Sequence, residues 1–472
     1  MSPSASQSEQ HRVQLFAAYI PQGHATLLNE YWAGCGYTDW DAVCNSVIDN
    51  GGKNRLHEAI RTPLPPPNGL GWYDLRDMTI RRRQALLAKE YGLHGFAIYH
   101  YWLSSRPSKL DGRTTRPAWL SSNRSSDADM DQTLLQLLDE SDGEPNLPFY
   151  FVWANEPFVW RWEEWRSESD NSRAPRSAVQ MPGQSYPRWG WRAHFDYLLR
   201  FFKHRNYHRI DGKPVFAVHF VAGLERRQRQ QMIEMMAFFR KWAIMAGLPG
   251  LHLLQMSHSH TQRGVVERWQ LAKWADGLQD FGRTILAHGS EGPETEATRP
   301  AWLPPRIGWH GGLYVHFDNT PRVELERSVI RSPDVGEAGL EARLDRALGL
   351  ARNESKSSMV LVNAWNEWSE GAALEPSEQR GFANLEAVRA ALIRHGQYSF
   401  RDKPGLWRST PKARYAQLTT CSSGKARKRQ DCSAQPPRLS GLLVYVVIAV
   451  AVVAAVMLTV RRLCRAGQVV GN

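Results

Sequence analysis

The chain has 472 residues, 42% hydrophobic and 22% charged, with 19 Trp, 15 Tyr and 16 Phe. Those fractions exclude a disordered or fibrous chain and suit one large globular domain or two ordinary ones. The formal net charge of +12 invites a nucleic-acid partner, yet residues 401–472 hold 13 Lys or Arg against two Asp, so the first 400 residues are nearly neutral and no nucleic acid is expected.

The opening MSPSASQSEQHR is polar and lacks the apolar core of a signal peptide, which by default places the main domain in the cytosol; a signal encoded upstream would make it lumenal. Apolar runs bounded by breakers then follow, alternating with helical patterns. VQLFAAYI (13–20) is the first, and the amphipathic DLRDMTIRRRQALLAKEYGL (74–93) leads to HGFAIYHYW (94–102), which ends in His100, Tyr101 and Trp102. DADMD (127–131) precedes an apolar helical pattern and reads as a helix cap rather than a metal site. PFYFVWANE (148–156) ends in Trp153, Asn155 and Glu156; the helical GWRAHFDYLLRFFKH (190–204) leads to PVFAVHF (214–220), which carries His219. RQRQQMIEMMAFFRKWAIMAG (227–247) precedes LHLLQMS (251–257), whose sequel HSHTQ (258–262) offers two histidines and no third ligand. ADGLQDF (275–281) contains Asp280, and GLYVHFD (312–318) ends in Asp318 with Asn319 beyond it. The last run, SMVLVNAW (358–365), passes into Trp365, Asn366, Glu367, Trp368, Ser369, Glu370 and Gly371.

Eight strand–helix alternations predict an α/β fold, a (β/α)8 TIM-like barrel over residues 13–400, with long insertions near 104–146, 163–190 and 284–310. A doubly wound open sheet is the rival, but no Gly-x-Gly-x-x-Gly turn follows any run. Residues 401–440 read as a basic flexible linker. The uncharged GLLVYVVIAVAVVAAVMLTV (441–460) has the length of a bilayer span and predicts one C-terminal transmembrane helix, with 461–472 a short basic tail. Five cysteines form two close pairs, Cys35/Cys44 and Cys421/Cys432, plus Cys464 just past the span; their spacing fits no zinc site.

In such barrels the working groups sit at the C-terminal ends of the strands, where polar and aromatic residues gather here. Glu367 and Glu370 stand three apart, so a helical turn places both on one face, and like charges at that range push one proton affinity up. One carboxyl then serves as acid and the other as base, the division used in glycoside chemistry. The same pair would also serve a capping turn ahead of a helix. Asn155 and Glu156 behind Trp153 repeat the theme. Tryptophan faces suit sugar rings as well as cores. His100, Tyr101, Trp102, Trp365, Asn366, Asp318 and Asn319 complete the expected substrate-binding set, and neither a metal nor a cofactor is called for.

QALLAKEYGLHGFAIYHYW (84–102), LPFYFVWANE (147–156), FDNTPR (317–322) and NAWNEWSEGAALEP (363–376) with GFANLEAV (381–388) follow one another in an order that resembles the WbsX-type glycosyltransferases. Their shared domain is similar to the glycoside hydrolase family of endo-α-mannosidase and endo-α-mannanase. The resemblance covers roughly 13–395. It implies a barrel and metal-independent, retaining cleavage inside α-mannose-type glycans. It also implies that Glu367 deprotonates the sugar 2-hydroxyl, which attacks C1, while Glu370 protonates the leaving oxygen. Ser369 stands where those hydrolases carry His, and Ala373 where a larger residue is common. The expectation is a membrane-anchored, glycoside hydrolase-like enzyme. A glycosyltransferase and a catalytically inactive glycan-binding protein are the alternatives.

Overall fold

Near-continuous apolar segments mark strands buried on both faces, as a parallel barrel requires. Eight such strands form: β1 Gln14–Tyr19, β2 Gly95–His100, β3 Phe149–Trp153, β4 Lys213–Val218, β5 His252–Ser257, β6 Gly277–Asp280, β7 Gly308–Tyr314 and β8 Met359–Asn363. The coordinates are a computed structural model that describes residues 12–26, 29, 36–102, 109–110, 113–114, 131–139, 147–155, 188–219, 221, 224, 226–257, 271, 273–281, 299–300, 303–331, 337–352, 359–398 and 405–408. Each strand pairs in parallel with its neighbour in chain order, β8 returns to β1, and the sheet closes into an eight-stranded barrel. In register, Phe16 lies opposite Leu361 on one side and Gly95 on the other. A Cβ on Gly95 would come within 2.1 Å of the Pro148 carbonyl oxygen, so only glycine allows this approach of β2 to the start of β3.

Helices α1 Asp39–Asp49 and α2 Met78–Glu90 lie between β1 and β2, and α3 Gln132–Asp139 between β2 and β3. Helices α4 Arg188–Phe202, α5 Arg226–Met245 and α6 Glu337–Arg352 precede β4, β5 and β8, and α7 Ala383–Arg394 follows β8 and packs on α6. The three helices read from the sequence before β2, β4 and β5 are thus in place. An antiparallel pair at Arg209–Ile210 and Lys213–Pro214 leads into β4 through Asp211 and Gly212, both at positive φ, the geometry of a two-residue hairpin turn.

Seven expected runs coincide with strands to within three residues at each end. The seventh does not: β7 is Gly308–Tyr314, ahead of the expected 312–318. Its opening Gly-Trp-His-Gly-Gly hides the strand, and Phe317–Asp318 instead pairs antiparallel with Ile330–Arg331 outside the barrel.

The starts of the strands are filled by Phe16, whose ring lies 5.1 Å from His94, 5.0 Å from Tyr150 and 4.8 Å from His208. Cys44 of α1 is disulfide-bonded to a cysteine outside the described residues. Among the described residues no helix is long and apolar enough to cross a membrane. The expected span at 441–460, its tail and residues 401–404 and 409–440 of the linker lie outside them.

Candidate active site

Past Asn363 the chain leaves β8 and is tied at once to the end of β1. The Trp365 N–H donates to the Ala18 carbonyl at 2.7 Å. The Asn366 amide accepts from the Ile20 N–H at 2.8 Å and donates to the Ile20 carbonyl at 2.9 Å, replacing ladder bonds that end with the strand. Asn366–Glu367 then pairs antiparallel with Ala372–Ala373, and the 3₁₀ turn Trp368–Glu370 lies between, closed by Gly371 at φ 63°. The two glutamates therefore stand at opposite ends of one tight turn. Below them the buried Glu375 carboxylate accepts from the Tyr73 hydroxyl at 2.8 Å, the Gln84 amide at 2.7 Å and the Trp368 indole N–H at 2.8 Å. Burial lifts the Glu375 carboxyl to about 7 against the pull of those donors.

The group that joins the glutamates comes from the segment after β7. Asp318 accepts from the Thr320 N–H at 3.0 Å, the Thr320 hydroxyl at 2.5 Å and the Asn54 amide at 2.9 Å, and the Asn319 side chain accepts from the Val329 N–H at 2.6 Å. These bonds set the turn Thr320–Arg322, whose last residue reaches the glutamates. The Arg322 guanidinium donates to Glu367 at 2.9 Å, to Glu370 at 2.6 Å and, through Nε, to the Ser369 hydroxyl at 2.8 Å; that hydroxyl donates in turn to Glu367 at 2.7 Å. Burial alone would weaken the Arg322 charge, but Glu367, Glu370 and Asp39 outweigh it and hold its pKa above the usual arginine value. Two carboxylates expected to repel one another are thus bridged by a cation. Glu367 is nearly enclosed, with 10% of its side chain exposed, whereas Glu370 keeps 24% and faces outward.

Two further groups from the start of α1 border the cluster. Asp39 is half-buried; burial raises its carboxyl to about 6, with Arg322 opposing and Glu367 and Asp41 reinforcing the rise. Tyr37 is raised to about 12 by burial and by Asp39 and Asp41. Tyr101, at the end of β2, adds its own electrostatic pull on Arg322.

The expected site residues divide into groups. Glu367, Glu370, Asn366 and Tyr101 belong to this cluster, and Asp318 and Asn319 hold the turn that carries Arg322. His100 and Trp153 gather elsewhere, on His194 of α4: the two imidazole Nε2 atoms lie 2.9 Å apart, and the Trp153 ring meets His194 edge-on at 4.9 Å. Trp102 stacks on the same imidazole at 4.4 Å. Asn155 is buried at the end of β3, Trp365 packs 5.2 Å from Phe96, and Glu156 lies outside the described residues. Asp131, the described member of DADMD, is buried just ahead of α3. Sequence reasoning passed over Arg322, Asp39, Glu375 and His194. Glu375 stands alone between Leu374 and Pro376, a charge in an apolar stretch, and was open to notice; Arg322 closes the quoted FDNTPR but carries no such local signal.

The family profile described as Glycosyltransferase WbsX matches residues 15–111, 129–280 and 303–388. An uncharacterized protein WxcX of Xanthomonas campestris pv. campestris (strain B100) is 26% identical over 410 residues, covering 80% of this chain and 50% of that protein. The chain thus spans about half the length of the curated relatives it matches. Among solved structures, a "Glycoside hydrolase-like protein" superposes with a TM-score of 0.50 at 12% identity, over 81% of this chain and 93% of the other. The GH99 endo-alpha-mannosidase from Bacteriodes thetaiotaomicron in complex with BIS-TRIS-Propane gives 0.45 at 13% identity, over 81% and 97%.

Proposed function

Because the chain belongs to the WbsX glycosyltransferase family and is a carbohydrate-active enzyme, we propose that it acts on α-mannose-type glycans, cleaving an internal glycosidic bond with retention through Glu367 and Glu370. One observation carries the reading: a single guanidinium and a serine hydroxyl fix both carboxylates on one rigid turn. A structural cap has no use for such preorganisation, whereas paired acid–base chemistry depends on it.

In the proposed step Glu367 takes the proton of the sugar 2-hydroxyl, and that oxygen's electron pair attacks C1. The C1–O bond to the leaving sugar breaks with both electrons going to its oxygen, which receives a proton from Glu370. Glu370 then takes a proton from an incoming hydroxyl as its oxygen attacks C1; the C1–O2 bond breaks with both electrons going to the 2-oxygen, which recovers its proton from Glu367. The outward-facing Glu370 suits the exchange with leaving group and acceptor; the enclosed Glu367 suits a proton shuttled within one ring. The apolar segment 441–460 would anchor this activity to a membrane.

A second reading, transfer to a sugar hydroxyl rather than to water, is favoured by the family match itself. The two share every step but the acceptor. The test incubates the full chain in detergent with α-manno-oligosaccharides, without donor, beside a Glu370→Gln control, and follows products by mass spectrometry. Shorter fragments that vanish in the control support hydrolysis, and elongated products support transfer. Neither, from folded protein, removes hydrolysis and transfer between these oligosaccharides, and turns the test to nucleotide- or lipid-linked sugar donors.

A further inference from the structure

Helix α1 contributes a third carboxyl beside the two glutamates. We propose that Asp39, the first residue of α1, is a positioning residue of the active site: without a hydrogen bond of its own to the guanidinium, its charge acts on the Arg322 that Glu367 and Glu370 bond, and so sets how readily Glu370 gives up its proton. The inference rests on the reading of Glu367 and Glu370 as the working pair.

Three observations support it. First, α1 packs directly on the two turns that form the site, Thr320–Arg322 and Trp368–Glu370. Trp40, the next residue, is pinned there: its ring lies 6.0 Å from Trp368 and its indole N–H donates to the Tyr73 carbonyl at 2.8 Å. Second, the helix end does not occupy Asp39. The N-terminal capping role falls to Asp41, which accepts from the Thr38 N–H at 2.7 Å and the Thr38 hydroxyl at 3.0 Å. No described residue donates a hydrogen bond to Asp39. Third, Arg322 has five N–H donors in a fixed fork and commits three of them to Ser369, Glu370 and Glu367, so donors remain for another acceptor.

The charges that face Asp39 are Arg322, Glu367 and Asp41, with Tyr37 beside it on its own segment; Glu370 and Tyr101 act on the same guanidinium. With its carboxyl raised to about 6, Asp39 is mostly ionised at pH 7 and mostly protonated at pH 5. When it is ionised, the Arg322 charge is divided among three carboxylates, and Glu370 keeps its proton more readily. When Asp39 is protonated or removed, the full cation falls on the glutamates, and Glu370 gives up its proton at lower pH.

The test measures pH–rate profiles of the full chain in detergent for wild type, Asp39→Asn, Asp39→Glu and Glu370→Gln. Asp39→Asn should lower kcat about tenfold at pH 7, leave KM within about twofold, and move the alkaline limb down by about one pH unit; Asp39→Glu should restore the limb. A wild-type profile in Asp39→Asn, with Glu370→Gln inactive, would overturn the proposal while leaving the function intact. If no variant turns over, the functional reading fails, and carboxyl ¹³C NMR titration of the same proteins decides the inference alone. The Glu370 resonance, assigned by its loss in Glu370→Gln, should titrate at lower pH in Asp39→Asn; an unchanged midpoint overturns the proposal.

Discussion

Arg322 shows how much one side chain adds to a carboxylate pair. Its planar fork meets two carboxylates and a hydroxyl at once, a geometry a lysine ammonium cannot reproduce from a single point. Arg322→Lys keeps the charge and loses the alignment, so turnover should fall about a hundredfold, the usual penalty for misplacing a catalytic group by about an ångström. Steady-state kinetics on the substrate found active for wild type check this, and unchanged kcat would show that the fork is dispensable. Glu375 is a different case, a carboxylate that supports rather than reacts. Glu375→Gln places amide hydrogens against at least one of the Tyr73, Gln84 and Trp368 donors, and should destabilise the fold by about 1–3 kcal/mol. Urea unfolding of the two proteins measures it. The glutamates themselves were legible because an apolar strand ended in charges among indoles. Arg322 and Asp39 were not, because nothing local distinguishes an arginine after Pro321 or an aspartate after Thr38 until the barrel brings α1 and the segment after β7 to the end of β8.

At the scale of elements, the turn after β8 explains why Ser-Glu-Gly follows Glu367-Trp368. The 3₁₀ turn must reverse within three residues to return along Ala372–Ala373, and Gly371 does so at φ 63°. A Cβ there would sit 3.1 Å from the Asp318 Cβ and 3.2 Å from the His316 Nδ1, so the backbone strain has no room to relax. Gly371→Ala should cost about 1–2 kcal/mol from the left-handed conformation alone and should displace Glu370 from Arg322. A thermal melt paired with an activity assay reads both effects; a variant with wild-type melting and turnover would mean the turn is more plastic than its packing implies. The strands were readable from their two-faced apolar character, and β7 was misplaced because glycines carry no such signal. Its correct start moves Asp318 from a barrel strand end to an added antiparallel pair, where its oxygens hold Thr320 and Asn54.

The molecule as a whole carries an acid liability distributed around its barrel. Burial holds His94 at about 4 and His100, His208, His310 and His316 at about 3, and keeps His194 well below the ordinary imidazole value. In the unfolded chain these imidazoles protonate near pH 6.5. Below that pH the unfolded state binds protons the native state refuses, so stability is full above about 6.5 and falls as the medium is acidified toward 4. Each such proton contributes a slope of about 1.4 kcal/mol per pH unit once the unfolded imidazole is fully charged. Two carboxyls act the other way. Glu375 at about 7 and Asp39 at about 6 bind protons in the native state before the unfolded chain does, and so add stability as pH falls toward about 4. Among the described residues His204 and His252 are lowered too, so such histidines outnumber the two carboxyls and the net effect is loss. Urea midpoints taken at pH 7, 6 and 5 should therefore fall steadily, and more steeply in the second interval, where the unfolded imidazoles are nearly all charged. His310→Gln should flatten the curve by removing one of the contributing groups, whatever it does to the absolute midpoint. A midpoint that holds level from pH 7 to 5 would mean that the imidazoles take up protons in the folded barrel, and that water reaches cores which the packing around Phe16 and His194 closes off.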